Sequence, residues 1–315
     1  MAAVDGKTGV QVKVSSQGIL QISLYAPIRP KGLNLAYGIV TSVDAEEVFA
    51  DRLDGEKEDF FTKYVKKYGY YDLFLIDPHG MAFYTVGHEP DYQTNLLNGK
   101  YADSNLGRLV KQVLHSKKYG LADFSPYAPS NGEPAGFIAQ PLLGSDGEVE
   151  MVVALQLPLD ALNAVMQQRE GMGKTGETYL VGSDKRMRSD SFLDKQGHSV
   201  KASFAGTVEK NGVDTEASRA ALAGQSETRL IIDYNGNPVL SSYTPLKVEE
   251  TTWAVLAEID LAEVNEPITA LHKTILLLAA GIALLVTLLA LYVANTSPRR
   301  WPRGCGWPTP CPMGI

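Results

Sequence analysis

Residues 274–294, TILLLAAGIALLVTLLALYVA, carry no charge over 21 consecutive positions. As a helix rising 1.5 Å per residue, such a run measures roughly 31 Å, against a hydrocarbon core of about 30 Å. One central Lys or Asp would cost about 2.5–3.5 kcal/mol on insertion, and none is present. A core helix of a soluble protein of this length normally keeps a polar stripe, and this run has none. The chain is therefore expected to cross a membrane here. Arg299, Arg300 and Arg303 follow the run, whereas His272 and Lys273 precede it behind Glu258, Asp260, Glu263 and Glu266. The positive-inside rule then places the tail in the cytoplasm and residues 1–270 outside, as a single-pass inner-membrane protein.

The N-terminus, MAAVDGKTGVQVKVSSQG, has no apolar signal-peptide core. Export of residues 1–270 needs such a signal or another span, so the natural chain is expected to begin further upstream. Length and composition allow two ordinary folded domains or three small ones: 315 residues, 44% hydrophobic and 21% charged. A net charge of -7 argues against nucleic acid as a partner. Both cysteines, Cys305 and Cys311, lie in the tail, so the globular part has neither a disulfide nor thiol chemistry. His79, His88, His115, His198 and His272 form no metal-binding pair, and no metal or cofactor is expected. No G-x-S-x-G elbow or paired-carboxylate motif exists either, so no catalytic residue and no enzyme activity are expected.

One stretch imitates a nucleotide site. In REGMGKTGETYLVGSD, residues 169–184, Gly171, Gly173 and Gly176 give G-x-G-x-x-G, and Lys174-Thr175 follows Gly173. A dinucleotide fingerprint needs a strand before the glycines and a helix after them. The pattern here predicts a helix ending at Glu170 and a strand beginning near Glu177. A phosphate-binding loop needs a glycine five residues before Gly173, and Gln168 stands there. The glycines read as a helix cap and linker, with Lys174 and Thr175 solvated.

Periodicity predicts strands at 19–24 and 35–43, joined through Pro27, Pro30 and Gly32. A helix over 44–67 follows, with Asp44 as N-cap and Gly55 as a possible break. Asp77-Pro78-His79-Gly80 turns a hairpin. A helix centred on Leu106–Leu114 closes at Gly120, and strands cover 121–127, 135–142 and 148–157. LDALNAVMQQRE forms a helix ending at Gly171. A hairpin turns at Ser183-Asp184-Lys185, TEASRAALAG is a helix, and three strands follow, the first two joined by Asn235-Gly236. LAEVNEPITALHK leads as a helix into the span. Residues 238–264 repeat residues 20–48, each running strand, Tyr-x-Pro, strand, Asp, Ala-Glu-Val or Glu-Glu-Val, and residues 136–165 are a weaker third copy.

The stretches KYGYYDLFLIDPHG, YQTNLLNGKYADSNLG, DFSPYAPSNGEPAGFIAQPL, QQREGMGKTGETYLVGSDKRMRSDS and DYNGNPVLSSYTPL resemble the double Cache sensor domains of bacterial methyl-accepting chemotaxis proteins. Together they cover about residues 60–265. The resemblance implies an α+β fold: two tandem PAS-like modules with mainly antiparallel sheets, then a single transmembrane helix. The expected organisation is a half-module at 1–50, a helix at 51–68, a membrane-distal module at 69–170 and a membrane-proximal module at 171–268. The span at 274–294 and a tail at 295–315 complete it. The family also implies a long N-terminal helix, an upstream span, and a HAMP linker before a methylated coiled coil. Here a half-module precedes the modules, and NTSPRRWPRGCGWPTPCPMGI follows the span. That tail is expected of a truncated or frame-shifted chain.

By the same resemblance the chain senses a small molecule (an amino acid, organic acid or amine) as a membrane-anchored homodimer. Sensor input to a histidine kinase or cyclase, or a non-signalling interaction module, are the other readings. The pocket is expected between the sheet and the loops after the first hairpin, at Tyr84, Tyr101, Asp103, Ser104, Asp123, Tyr127 and Gln140. The pattern of amino-acid-binding members of that family, an Arg followed by Trp-Tyr, is not present. In the second module Arg186 or Arg188, beside Ser189 and Asp190, is placed either to clamp a ligand carboxylate or to form a structural ion pair with a local Asp.

Overall fold

A computed structural model describes residues 3–29, 37–52 and 55–296. Pro30 and Gly32, the arginines and cysteines of the tail, and most of 295–315 lie outside the described residues. The chain divides into two units, Met1–Leu261 and Ala262–Ile315.

The first unit opens with β1 (Gly9–Val14), β2 (Leu20–Ile28) and β3 (Tyr37–Asp44), an antiparallel sheet in the order β1-β2-β3. Within the helical stretch expected over 44–67, α1 (Ala45–Phe49) and α2 (Phe60–Tyr68) are separate helices, with Gly55, the possible break, in the left-handed conformation between them. Asp44 precedes α1 without capping it and accepts instead from Gln21 Nε2 at 3.0 Å. The cap that works is Asp59, whose carboxylate accepts from Thr62 N; Gly69 closes α2 in the left-handed conformation.

A five-stranded antiparallel sheet comes next. Its strands are β4 (Asp72–Ile76), β5 (Ala82–Thr85), β6 (Gly120–Tyr127), β7 (Glu133–Leu143) and β8 (Val149–Gln156), in the order β5-β4-β8-β7-β6. α3 (Asn105–Ser116), capped by Ser104, lays Leu106, Leu109, Val110 and Val113 on one face against Phe74, Phe137 and Val152. It stops at Lys117, which takes the left-handed turn at φ 54, so Gly120 begins β6 rather than closing the helix. The other face packs Leu73, Leu75, Phe83 and Tyr84 against α2, the N-terminal sheet and α1 through Val65, Leu20 and Ala45.

α4 (Leu159–Met166) ends earlier than Gly171 and leads to β9 (Glu177–Val181). The expected hairpin partner of β9 is reduced to one bridge, Val181 to Met187. Three short helices follow: α5 (Val200–Ala205), α6 (Val208–Asn211) and α7 (Glu216–Leu222), the last begun by a Thr215/Ser218 capping box. β10 (Glu227–Ile232), β11 (Pro238–Val248) and β12 (Thr251–Asp260) complete a four-stranded sheet, β10-β11-β12-β9. α8 (Leu261–Val264) ends the strand region. In the second unit α9 (Glu266–Thr296) contains the apolar run and is long and apolar enough to cross a membrane.

The internal repeat is preserved residue by residue. Tyr25 stands opposite Gly9 on one side and Val40 on the other; Tyr243 stands opposite Glu227 and Leu256. Pro27 faces Gly38, Pro245 faces Ala254, and Pro141 faces Val152. The three meanders β1-β2-β3, β6-β7-β8 and β10-β11-β12 thus share a β-turn-β plan. In the last two, the third strand also pairs with its own first strand, β4 or β9.

Candidate functional site

The clearest uncompensated chemistry sits at one end of the five-stranded sheet. β4 begins with Asp72, which the pairing places opposite Gln156, the last residue of β8. Both side chains are buried. Asp72 Oδ1 accepts from the backbone of Leu73 at 2.7 Å and Gly87 at 2.9 Å. The loop after β5 brings Glu89 and fully buried Asp91 to the same end. Tyr127, at the end of β6, donates to Asp91 Oδ2 at 2.6 Å. Glu89 accepts from Tyr71 Oη at 2.8 Å and from Ser130 Oγ at 2.6 Å. A cleft of about 390 Å³ opens on Tyr71, Ser130 and Gln156.

Three buried acceptors in this cluster have no donor from the protein: Asp72 Oδ2, Asp91 Oδ1 and Gln156 Oε1. No Lys, Arg or His among the described residues forms an ion pair with Asp72, Glu89 or Asp91. Burial, with the charges of Asp91 and Glu89 added, pushes Asp72 up to about 6 against the pull of its two amide donors. Burial likewise raises Asp91, although the Tyr127 hydrogen bond opposes it. Proteins rarely leave buried acceptors unpaired, and an uncompensated buried charge is costly. The arrangement is built to accept hydrogen bonds and positive charge.

The sequence-predicted residues fall in several places. Tyr127 is in this cluster. Tyr84 lies on the opposite face of the sheet and donates to the helix cap Asp59 at 2.9 Å. Tyr101 is buried in the core under α3. Asp103 is exposed, and only its backbone carbonyl is engaged, by Arg108; Ser104 caps α3. Gln140 is exposed on β7 and bonds the carbonyl of Pro141. Asp190 accepts from Asn163 Nδ2 at 2.9 Å and from Val200 N at 2.7 Å, fixing the start of α5. Arg186 donates to the carbonyls of Ser203 and Gly206.

Arg188 and Asp123 meet each other. A register shift between Ala122 and Ser125 breaks the alternation of β6 there. Phe124 joins the core of the four-stranded sheet, and Asp123 takes two bonds from Arg188, Nε to Oδ1 at 2.7 Å and Nη2 to Oδ2 at 2.8 Å. Asp184 adds a third contact at 3.0 Å. This buried fork joins the two larger sheets. The glycine loop is tied differently from a phosphate cradle. Arg169 gathers the carbonyls of Gly173, Lys174 and Gly176, and Thr175, expected to be solvated, accepts from Asp260 N at 3.1 Å.

Reasoning from sequence missed Asp72, Glu89, Asp91, Ser130 and Gln156. One signal was present: both five-residue first strands, DLFLI and ETYLV, begin with an acid before buried apolar residues.

No protein-family profile matches the chain. It is 22% identical over 233 residues to the probable chemoreceptor y4sI of Sinorhizobium fredii, a match covering 73% of this chain and 28% of that protein. The chain therefore spans little more than a quarter of that relative's length. Solved structures that align with part of the chain include the ligand-binding domain of the Pseudomonas aeruginosa amino-acid chemoreceptor PctC with GABA. That match has 16% identity, a TM-score of 0.43, and coverage of 68% of this chain and 86% of that one. The ligand-binding domain of Pseudomonas fluorescens CtaA with L-leucine matches at 17% identity and a TM-score of 0.40, covering 62% and 73%. The periplasmic sensory domain of Campylobacter jejuni Tlp1 matches at 17% identity and 0.38. The chain is a distant sequence relative of a chemoreceptor, with a mixed α+β architecture of antiparallel sheets followed by one membrane-length helix.

Proposed function

We propose that this chain is the extracytoplasmic sensor segment of a membrane-anchored chemoreceptor, that it acts as a homodimer, and that it binds a small molecule carrying a protonated amine. The observation that carries the ligand class is the set of three donor-less acceptors, Asp72 Oδ2, Asp91 Oδ1 and Gln156 Oε1, in a cluster whose carboxylates form no ion pair with a Lys, Arg or His among the described residues. An ammonium group brings up to three N–H donors and one positive charge, which answers both deficits. The carboxylates are divided among separate partners, and no three converge on one point among the described residues. That spacing suits an ammonium, whose donors diverge, better than a bare metal ion. The cleft beside Tyr71, Ser130 and Gln156 is of a size for the rest of a small ligand.

The signal path in this reading runs along β6. Tyr127 ends that strand in the ligand cluster, and Asp123 and Phe124 leave it to engage the membrane-proximal sheet. A ligand that displaces Tyr127 from Asp91 shifts a strand already anchored to the second sheet. The free energy available is about 2.7 kcal/mol at a ligand level 100 times its dissociation constant, enough to bias a two-state element. Binding without turnover is the expected activity.

Calorimetry and thermal shift on the full chain in lipid nanodiscs test this at pH 7.5. The probes are GABA, L-leucine, agmatine and putrescine, with the corresponding carboxylic acids and alcohols as controls. Stabilisation by one or more amines, lost in Asp91→Asn, supports the reading. Stabilisation by the acids or alcohols alone, or by none of the probes, defeats it.

A further inference from the structure

β8 ends at Gln156, and the chain runs on through Leu157 and Pro158 into α4, whose second residue is Asp160. The Leu157 amide donates to the Gly136 carbonyl at 2.8 Å, which fixes the exit from the sheet. Asp160 is four positions on from Gln156, so their Cα atoms lie at most about 14 Å apart. Both residues line the cleft of about 390 Å³. They differ in kind: Gln156 is 4% exposed and its Oε1 has no donor, whereas Asp160 is solvent-exposed. The cleft thus has a buried end with an orphaned acceptor and a mouth with a carboxylate.

The charged side chains lining this cleft are acidic. They are Glu133 and Asp160, and no Lys, Arg or His lines it among the described residues. Glu133 is already held by Lys201. Asp160, like Asp72, Glu89 and Asp91, forms no ion pair among the described residues. The remaining walls include Tyr70, Tyr71, Pro134, Leu157, Pro158 and Leu159. They offer apolar surface to a methylene chain and ring faces that attract a cation. An α-amino acid fits this charge pattern badly. Its carboxylate, beside the ammonium, would enter among Asp72, Glu89 and Asp91 and be repelled. A longer amino acid, with its charges at opposite ends, would set its carboxylate against Asp160.

We infer, resting on the amine reading above, that the ligand is a linear diamine. One ammonium sits at Gln156 Oε1 with the Asp72 and Asp91 carboxylates behind it, the methylene chain follows the cleft, and the second ammonium meets Asp160. The buried end supplies hydrogen-bond acceptors and negative charge; the mouth selects for a second cation and against an anion.

Calorimetry on the full chain in nanodiscs at pH 7.5 tests this with putrescine, n-butylamine and GABA. All three carry one ammonium on a short straight chain, and the far end is cationic, neutral and anionic in turn. Putrescine is expected to bind roughly fivefold tighter than n-butylamine, beyond an advantage of about twofold for having two equivalent ends. GABA should bind more weakly than n-butylamine. These comparisons leave the protein unaltered, so misfolding cannot imitate them. Asp160→Asn, an exposed substitution, is expected to bring the ratio of putrescine to n-butylamine down to about two and to narrow the gap between n-butylamine and GABA. Equal affinity for putrescine and n-butylamine, or GABA binding tighter than n-butylamine, would overturn the diamine while leaving the amine reading in place. A ratio that survives Asp160→Asn would assign that acid to the start of α4 alone and overturn its role at the mouth. Absence of binding by all three would fell the amine reading itself, and the diamine with it.

Discussion

Asp72 faces Gln156 across β4 and β8, and Glu177 faces Glu258 in the same register across β9 and β12. The two places differ in their donors. Glu177 accepts from Ser191 Oγ at 2.8 Å, from the amides of Phe192 and Leu193, and from Tyr234. Glu258 accepts from Tyr179 Oη at 2.6 Å and from Ser241. The copy in the four-stranded sheet is satisfied by neighbouring side chains and amides, whereas the copy in the five-stranded sheet leaves acceptors over. Substituting the equivalent acids is therefore expected to act in opposite directions. Asp72→Asn removes a buried charge that lacks compensation, and should raise the melting temperature while abolishing amine binding. Glu177→Gln weakens four charge-assisted hydrogen bonds, and should lower stability by about 1.5–3 kcal/mol. Denaturant titration of the two variants checks the signs; equal signs would refute the distinction.

Asp72 also sets a pH dependence. Burial raises it to about 6 in the folded chain, above the usual carboxylate value of about 3.9. Between those values the native state binds more protons than the unfolded state, so stability falls as pH rises. The contribution is fully present below about pH 4 and is lost through about pH 6, an order of 3 kcal/mol for a shift of about two units. Amine binding has the opposite trend, because it requires the ionised carboxylate. Affinity should therefore weaken as pH drops below about 6, with proton release on binding. Calorimetry in buffers of different ionisation enthalpy, at pH 5 and pH 7.5, measures both effects.

The Arg188–Asp123 fork joins sheets whose parts are far apart in sequence. Arg188 is 2% exposed, so removing Asp123 takes away its bidentate partner and leaves Asp184 as the remaining carboxylate of a buried guanidinium. Asp123→Ala should cost about 1.5–3 kcal/mol, while Arg188→Met with Asp123→Leu should be closer to neutral. Gly182 supports the fork by its lack of a side chain: a Cβ there would lie 2.2 Å from the Arg188 guanidinium. Gly182→Ala should accordingly destabilise the chain in proportion to the loss of the fork. In the double variant amine affinity should survive, because neither residue belongs to the ligand cluster, whereas signalling through β6 should fail. Binding and receptor-output assays on the same variant separate those outcomes.

The meanders were legible because each strand carries its pattern locally: Tyr-x-Pro, an alternating run, a turn, and Asp before the next helix. The span was legible because lipid demands an uninterrupted apolar run. The ligand cluster was not. It combines the first residue of one strand, the last residue of another and two loop acids, and only pairing across the sheet brings them together. Arg188 was read as lying near local acids. Asp184 is indeed one partner, but the bidentate partner is Asp123, 65 positions away and turned by a bulge. Burial decided these cases, and burial belongs to the tertiary structure. Asp44 shows the converse: it stands at a helix start, yet Gln21 claims its carboxylate.

The membrane helix admits a quantitative test. The run 274–294 contains twelve Leu, Ile or Val residues. At about −0.3 to −0.6 kcal/mol each, they favour insertion by about 5 kcal/mol. One central arginine costs about 2.5–3.5 kcal/mol and forfeits one leucine, so Leu285→Arg should leave the chain in the membrane fraction after alkaline extraction. Leu284→Arg with Leu285→Arg adds about 6 kcal/mol and forfeits two leucines, which reverses the sign. The double variant should be extracted as a soluble or degraded protein. Retention of the double variant would mean that something other than this run holds the chain at the membrane.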